Sequence, residues 1–294
     1  YGFHHQYYGD KAYYHLDTPD KIHFAEGVYE PDGQTDLALD RLRDAVSADD
    51  PFALFLSLGT PHDPWTELNV PKEYLDMYRD VEFETPGNYS DDLDPYGDAW
   101  SDKEKSPERI NRWKRVYYAM TTNLDYNVGR MLDALDELRL ADNTVVVFTS
   151  DHGEMFGAHG RMMKNIFYEE AARIPFLLRW PTVTEGRTSD VLLSTVDIMP
   201  TLLGLAGLSG GDEIEGMDLS SHVSGPGGSE PACAFLQNTG ACASWEDGHE
   251  WRAVRDKRFT YAVFRVDGKE LLFDHQADPL QLNELSGDRS YRDV

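Results

Sequence analysis

Three short apolar runs do most to limit the fold: FALFLSLG at 52–59, NTVVVFTS at 143–150 and IPFLLRW at 174–180. None alternates apolar with polar residues, so a strand built from any of them has to bury both faces. Between the first two lies a long helical period. Ile110, Trp113, Tyr117, Met120, Leu124, Val128, Met131, Leu135 and Leu138 step by three and four, with Ser106 placed to cap and Pro107 in the first turn. Buried strands alternating with helices predict an α/β fold whose mainly parallel sheet is covered by helices on both faces. A further strand is expected at 190–196 (DVLLSTV), and further helices at 36–46 (DLALDRLRDAV) and 197–207 (DIMPTLLGLAG).

Gly and Ser crowd residues 207–229, which reads as a connection. Beyond it, RFTYAVFRVDGKELLFDH is two alternating strands around Asp267-Gly268, a hairpin signal. Asp278-Pro279 then opens a last short helix. The expected organisation is an α/β domain over 1–225 and a small antiparallel α+β subdomain over 230–294, with a hairpin and a terminal helix. Residues 80–107 are acidic and broken by Pro86, Gly87, Pro95, Gly97 and Pro107. A loop of that length reads as a functional rim or as disorder.

In open α/β sheets ligands bind beyond the carboxyl ends of the strands, and two of the apolar runs end in unusual chemistry there. The first delivers Thr60-Pro61-His62-Asp63-Pro64-Trp65, and the second delivers Asp151-His152-Gly153, with Lys164 following in a loop. A carboxylate and an imidazole at one strand end suit a divalent cation, although two ligands alone cannot hold one firmly. The ordinary alternative is a helix-capping Asp beside a satisfied His. His62, stiffened by two prolines, can donate to an anion or protonate a leaving group; otherwise it is a turn histidine. Lys164 is either a local cation or a solvated surface lysine.

Charge gives the local cation its interest. Asp and Glu number 53 against 27 Lys and Arg, a net charge of −26. Such a field repels nucleic acid and anionic membranes, and an anionic substrate needs positive charge at its site. No apolar run approaches the ~20 residues of a membrane-spanning helix. The dispersed, Asp-rich and Lys-poor acidity is also what a salt-loving organism favours. Cys233 and Cys242 form no disulfide framework; they pair with each other or stay as free thiols.

Four stretches then follow one another in a familiar order. SLGTPHDPW, FTSDHGEMFGAHGRMMKNIFYEEAARIPFLLRWP, STVDIMPTLLGLAG and ELLFDHQADPLQLNEL resemble successive signatures of the sulfatases, within the alkaline-phosphatase superfamily. YGFHHQYYG at the start resembles the segment after that family's Gly-Lys-Trp-His. The resemblance covers nearly the whole chain. It implies an alkaline-phosphatase-like fold and hydrolysis of a sulfate monoester, whether aryl, choline or carbohydrate. It also implies a divalent metal, calcium in most members with magnesium or manganese as alternatives, and a formylglycine nucleophile. Position by position, it makes Asp151 and His152 metal ligands, His152 standing where many members have Asn. It makes His62 and Lys164 catalytic and substrate-binding groups at the sulfate and its leaving oxygen. His159 lies in the same motif with no role attached.

Other family features are not found. The sequence contains no Cys/Ser-Xaa-Pro-Xaa-Arg, the source of formylglycine, and no Gly-Lys-Trp-His. Asp49-Asp50 precedes a strand rather than following one, and Asp91-Asp92 lies in the acidic loop. The expectation is an N-terminally incomplete chain, inactive alone, with the nucleophile and the Asp-Asp metal pair on another segment. Cytoplasmic and exported locations both stay open, with a lean to the cytoplasm. Three rivals stand beside this reading: a phosphodiester or phosphonate monoester hydrolase of the same superfamily, a non-catalytic sulfate- or glycan-binding homologue, and a serine hydrolase on GLSGG at 207–211. The last fails on context, since a nucleophile elbow follows a strand and opens a helix, whereas this one ends a helix.

Overall fold

The structure, a computed structural model, describes residues 7–8, 12–14, 20–48, 51–92, 94–96, 105–184, 186–211, 213–225, 227–238 and 250–292. Cys242, Asp49-Asp50 and most of the opening YGFHHQYYG lie outside them. The chain forms two compact units, Tyr1–Thr85 with Ser106–Thr144, and Pro86–Lys105 with Val145–Val294. The boundary near 225 drawn from the sequence remains a proposal about folding units.

The first unit holds a short antiparallel pair, β1 (Ala12–Tyr14) and β2 (Lys21–His23), and the helices α1 (Glu30–Ala48), α2 (Lys72–Met77) and α3 (Pro107–Glu137). α3 begins where the sequence places it. The Ser106 hydroxyl accepts from the Arg109 amide at 3.2 Å, and Pro107 occupies a position whose N–H has no helical partner. Its buried stripe runs through Ile110, Val116, Ala119, Met120, Asn123, Asn127 and Leu135. The two buried asparagines are satisfied by one acceptor on α1: their Nδ2 groups donate to Asp32 Oδ1 at 2.8 and 2.7 Å. α1 begins earlier than the expected 36–46, because Glu30, Pro31 and Asp32 suit a first turn.

Residues 52–59 differ from expectation. They pair with no strand among the described residues, and Phe55 is 86% exposed. An apolar run becomes a strand only where a neighbouring strand takes its backbone N–H and C=O groups in a ladder, and no ladder among the described residues includes it.

In the second unit, β3 (Val146–Thr149) and β4 (Phe176–Arg179) pair antiparallel, with the short helix α4 (Glu169–Ala172) between them. Every ladder among the described residues is antiparallel, so the mainly parallel sheet is not seen there. The segment joining β3 to β4 does not cross over as a helix. It doubles back, and Gly153 N–H to Ala171 O (2.9 Å) and Glu154 N–H to Glu170 O (3.0 Å) extend the hairpin. Residues 190–194 are irregular rather than a strand. Ser194 instead opens α5 (Thr195–Leu205) with a capping box to Asp197, and Gly207 (φ +71°) ends it.

The C-terminal sheet has four antiparallel strands in sequence order: β5 (Ala234–Asn238), β6 (Trp251–Arg255), β7 (Phe259–Phe264) and β8 (Glu270–Asp274). The hairpin at Asp267-Gly268 is present, with Gly268 left-handed at φ +67°. The helix expected after Asp278-Pro279 is not. Asp278 Oδ2 accepts from the backbone N–H of Asn283 (2.6 Å), and Leu285 N–H goes to Leu272 O (2.9 Å). The first closes a turn within the tail and the second ties the tail to β8, in place of helical bonds; among the described residues only a 3₁₀ turn, Arg289–Tyr291, follows. One face of the sheet, with Trp251, Ala253, Ala262, Phe264, Leu271 and Phe273, forms a single core with Met155, Ala158, Ile166, Phe167, Tyr168 and Ala171. The loop that carries the motif is therefore a layer on the C-terminal sheet.

Candidate active site

His62 sits in a loop of the first unit whose shape is held by backbone contacts. Trp65, buried beside Trp113 and Tyr117, donates its indole N–H to Pro61 O at 2.9 Å. Tyr7 Oη donates to Gly59 O at 2.6 Å. Both prolines follow cis peptide bonds. His62 Nδ1 faces two acceptors on Asp63, its carbonyl (3.1 Å) and Oδ1 (2.9 Å). Nδ1 must then carry the hydrogen, so the neutral ring has its lone pair on Nε2 and the acid form adds its proton there.

Asp151, His152 and Lys164 lie in the second unit. Asp151 is at the exit of β3 with its side chain 86% exposed, and its Oδ1 accepts from the His152 amide at 3.0 Å. His152 Nδ1 donates to Gly153 O at 2.7 Å, which fixes the tautomer and leaves Nε2 to face Asp151 Oδ2 at 3.5 Å. Metal-bound histidines characteristically donate their other N–H to a carbonyl. Two donors on one octahedral cation sit about 3.3 Å apart, so the pair fits two neighbouring corners of a coordination sphere. Among the described residues no group of three or more His, Cys, Asp or Glu completes it.

The loop from Gly153 to Glu170 is wound tightly. Gly153 is required by close approach, since a Cβ there would stand 1.9 Å from Glu170 O. Phe156, His159, Met163 and Asn165 are all left-handed, with φ of +45°, +50°, +66° and +67°. Such backbone costs roughly 1–2 kcal/mol at a non-glycine residue and persists only where neighbours enforce it. The enforcers are visible. Glu154 Oε1 accepts from the Met163 amide at 2.6 Å, and Trp251 donates its indole N–H to Asn165 O at 3.1 Å. Lys164 is the residue between those two pinned neighbours. It lines a cleft of about 230 Å³ together with His152, Asn165, Gln237, Asn238 and Trp251.

His159 belongs to a buried polar knot beside this loop. Its ring stacks on Tyr168 at 3.8 Å, and burial is the main cause that holds its pKa below the usual imidazole range, against the opposing charge of Glu170. Asn88 Nδ2 lies within 2.7 Å of Glu170 Oε1, 3.1 Å of Leu280 O and 3.0 Å of His159 Nε2. An amide has only two hydrogens to give, and two of these three neighbours are obligate acceptors. His159 also hydrogen-bonds the backbone of Leu280 and acts as a brace. Sequence reasoning missed this knot, the glutamate and tryptophan that pin the loop, and the fully buried Arg161, whose Nη1 meets Asp94 at 3.0 Å. No local pattern links residues so far apart in the chain.

Comparison with known proteins places this chain in a family. The Sulfatase family model matches residues 1–208, and a model for the C-terminal region of N-sulphoglucosamine sulphohydrolase matches 157–294. The chain is similar to an ulvan-active sulfatase of Formosa agariphila, at 34% identity over 95% of this chain and 52% of that protein. It is also similar to an arylsulfatase of Clostridium perfringens, at 32% over 83% and 51%. A solved structure of a proposed sulfatase from Bacteroides fragilis aligns with a TM-score of 0.80 at 31% identity, over 97% of this chain and 60% of that one. Another, solved with D-glucosamine-2-N,6-O-disulfate as its substrate, shares the fold at a TM-score of 0.84 and 22% identity, over 98% and 70%. The chain spans about half the length of the curated relatives it matches.

Proposed function

The chain belongs to the sulfatase family, and from that premise we propose that the protein hydrolyses sulfate monoesters, with carbohydrate sulfates as its substrate class. The observation that carries this reading is the cleft itself. In a chain with 53 acidic residues, no Asp or Glu is among the described residues lining it, while Lys164 and His152 are. A lysine at a pocket whose described lining has no carboxylate, in a chain of net charge −26, is where an anionic ester gains from binding. The relative active on ulvan and the neighbour solved with a glucosamine disulfate support the carbohydrate class.

Asp151 and His152 would hold two corners of a divalent cation, calcium first and magnesium or manganese as alternatives; bound, it would supply Lewis acidity to the sulfate. Lys164, held between two pinned residues, places its ammonium against the ester oxygens and stabilises charge as the bond to sulfur breaks. His62 is proposed as the proton donor to the departing alkoxide. Its Nδ1–H is oriented by Asp63, and the acid form carries the transferable proton on Nε2. The nucleophile is not supplied by these residues, since the sequence holds no Cys/Ser-Xaa-Pro-Xaa-Arg; a formylglycine from another segment is part of the proposal. The parallel sheet of the alkaline-phosphatase type likewise belongs to the proposed architecture.

A phosphonate monoester hydrolase of Agrobacterium radiobacter also aligns, with a TM-score of 0.57 at 28% identity, but over only 66% of this chain and 40% of that one. A hydrolysis panel on the protein joined to the segment proposed to carry the formylglycine therefore tests the reading. 4-Nitrophenyl sulfate, glucosamine 6-sulfate and a phenylphosphonate monoester are assayed with calcium and after chelation. Sulfate-ester turnover that calcium restores is expected. Turnover of the phosphonate alone would refute the reading. Lys164→Ala is expected to cut turnover at least a hundredfold while leaving the unfolding curve in place.

A further inference from the structure

Lys164 has a neighbour in the cleft whose polar group the fold leaves unused. Asn165 is half-buried and lines the cleft with Lys164 and His152. Its backbone is fixed, with φ at +67° and the carbonyl accepting the Trp251 indole N–H at 3.1 Å. Its side chain is not. Among the described residues the Asn165 carboxamide takes part in no hydrogen bond. The other left-handed side chains of the loop are spent inside the fold: Phe156 and Met163 are buried, and His159 stacks on Tyr168. Asparagine tolerates such a backbone partly because its short side chain can bond locally, and here it makes no such bond. The backbone alone would be served as well or better by glycine. What asparagine adds at this position is therefore a donor and an acceptor offered to the cleft.

We propose that Asn165 is a specificity-determining residue that reads a hydroxyl group of a sugar whose sulfate is held at Lys164. The inference rests on the sulfate-ester reading and extends it to the alcohol side of the substrate. Consecutive Cα atoms stand about 3.8 Å apart, so the part of a substrate next to a sulfate at Lys164 comes within reach of the carboxamide. The chemistry of the lining carries the choice of alcohol. A carboxamide offers both a donor and an acceptor, which matches a hydroxyl that does the same, and it adds no charge. A quaternary ammonium alcohol would call for a carboxylate or an open aromatic face, and no carboxylate is among the described lining residues. An aryl group would call for an exposed ring to stack on, whereas Trp251 is 5% exposed and its indole N–H is spent on Asn165.

The test uses the protein joined to the segment proposed to carry the formylglycine, with the precursor of that group left unconverted so that esters bind without turnover. Calorimetric titrations with calcium present compare glucose 6-sulfate with ethyl sulfate, an ester of the same charge that has no hydroxyl. Asn165→Gly permits the left-handed backbone and removes the side chain. Any loosening of the loop weakens both esters alike, so the ratio of their affinities reads the carboxamide. That ratio is expected to fall about five- to tenfold, as for one lost neutral hydrogen bond. Nitrogen-15 spectra give a second measure that needs no variant: glucose 6-sulfate should move the Asn165 side-chain amide further than ethyl sulfate does. An unchanged ratio in Asn165→Gly, or equal shifts from the two esters, overturns the specificity role alone. Failure of both esters to bind the wild-type protein would overturn the sulfate-ester reading, and this inference with it.

Discussion

Gly153→Ala makes the sharpest demand on the loop geometry. The new Cβ would lie 1.9 Å from Glu170 O, a backbone atom that cannot rotate away. Carbon and oxygen tolerate no approach below about 3 Å, so the two sides of the hairpin must part by roughly 1 Å. Two bonds span that gap, Gly153 N–H to Ala171 O at 2.9 Å and Glu154 N–H to Glu170 O at 3.0 Å. Each is worth about 1 kcal/mol net, and a group left buried without a partner adds about 1–3 kcal/mol. The expected loss is about 2–4 kcal/mol. His152 Nδ1 donates to Gly153 O, so the same displacement turns Nε2 away from Asp151 and should weaken calcium at the proposed site. Urea unfolding reads the stability, hydrogen exchange at the Glu154 amide reads the local opening, and calorimetric titration reads calcium. Gly186→Ala is the control, because nothing lies within 4 Å of a Cβ there. If Gly153→Ala stays within about 0.5 kcal/mol of wild type, as an ordinary surface change would, the close approach is wrong and so is the loop built on it.

Three further outcomes follow from the same unit. Arg161→Ala strands the buried Asp94 carboxylate, the two side chains being 1% and 7% exposed; unfolding should show a loss of about 3–5 kcal/mol, most of it recovered when Asp94→Asn is added. Burial pushes the Glu169 carboxyl up, but two bonds from Arg255, at 2.6 and 3.1 Å, outweigh it and hold the pKa below the ordinary range. Its stabilisation is therefore complete above the unfolded value of about 4.3 and is lost as pH falls through the lower folded value; Arg255→Met should flatten that part of an acid-unfolding curve. Gly268→Ala forces a left-handed alanine at φ +67°, and should lower stability by roughly 1–2 kcal/mol on thermal unfolding.

What could be read from the sequence divides along one physical line. Features decided within a turn or two were legible: the Ser106 cap of α3, the glycine end of the helix at Gly207 and the Asp267-Gly268 hairpin. Features decided by partners far along the chain were not. The run at 52–59 looks like a buried strand because its composition is right, yet pairing depends on a neighbour that composition cannot specify. β5 and β6 escaped notice for a related reason. β5 (AFLQN) shows little alternation, and the alternation that buries Trp251 and Ala253 has meaning only against the loop they cover.

The same distinction explains how so acidic a chain presents a cationic cleft. The motif loop and the residues packed on it hold Glu154, Glu169, Glu170 and Asp94, carboxylates that add to the negative field around the loop. Each is instead turned to a donor. Glu154 takes the Met163 amide, Glu169 the Arg255 guanidinium, Glu170 the Asn88 amide and Asp94 the buried Arg161. A carboxylate engaged by fixed donors has much of its field compensated locally. The left-handed turn at Met163 is what presents its amide to Glu154, so in that pair the backbone strain and the engagement of the acid coincide. The backbone strain and the electrostatics of the cleft are thus one feature. Substitutions that relieve the strain without emptying the core, such as Asn165→Gly at a half-buried position with φ +67°, are expected to leave stability intact or raised while reducing the affinity of the cleft for sulfate. A sulfate affinity that stays constant as the loop is loosened would separate the two and refute the connection.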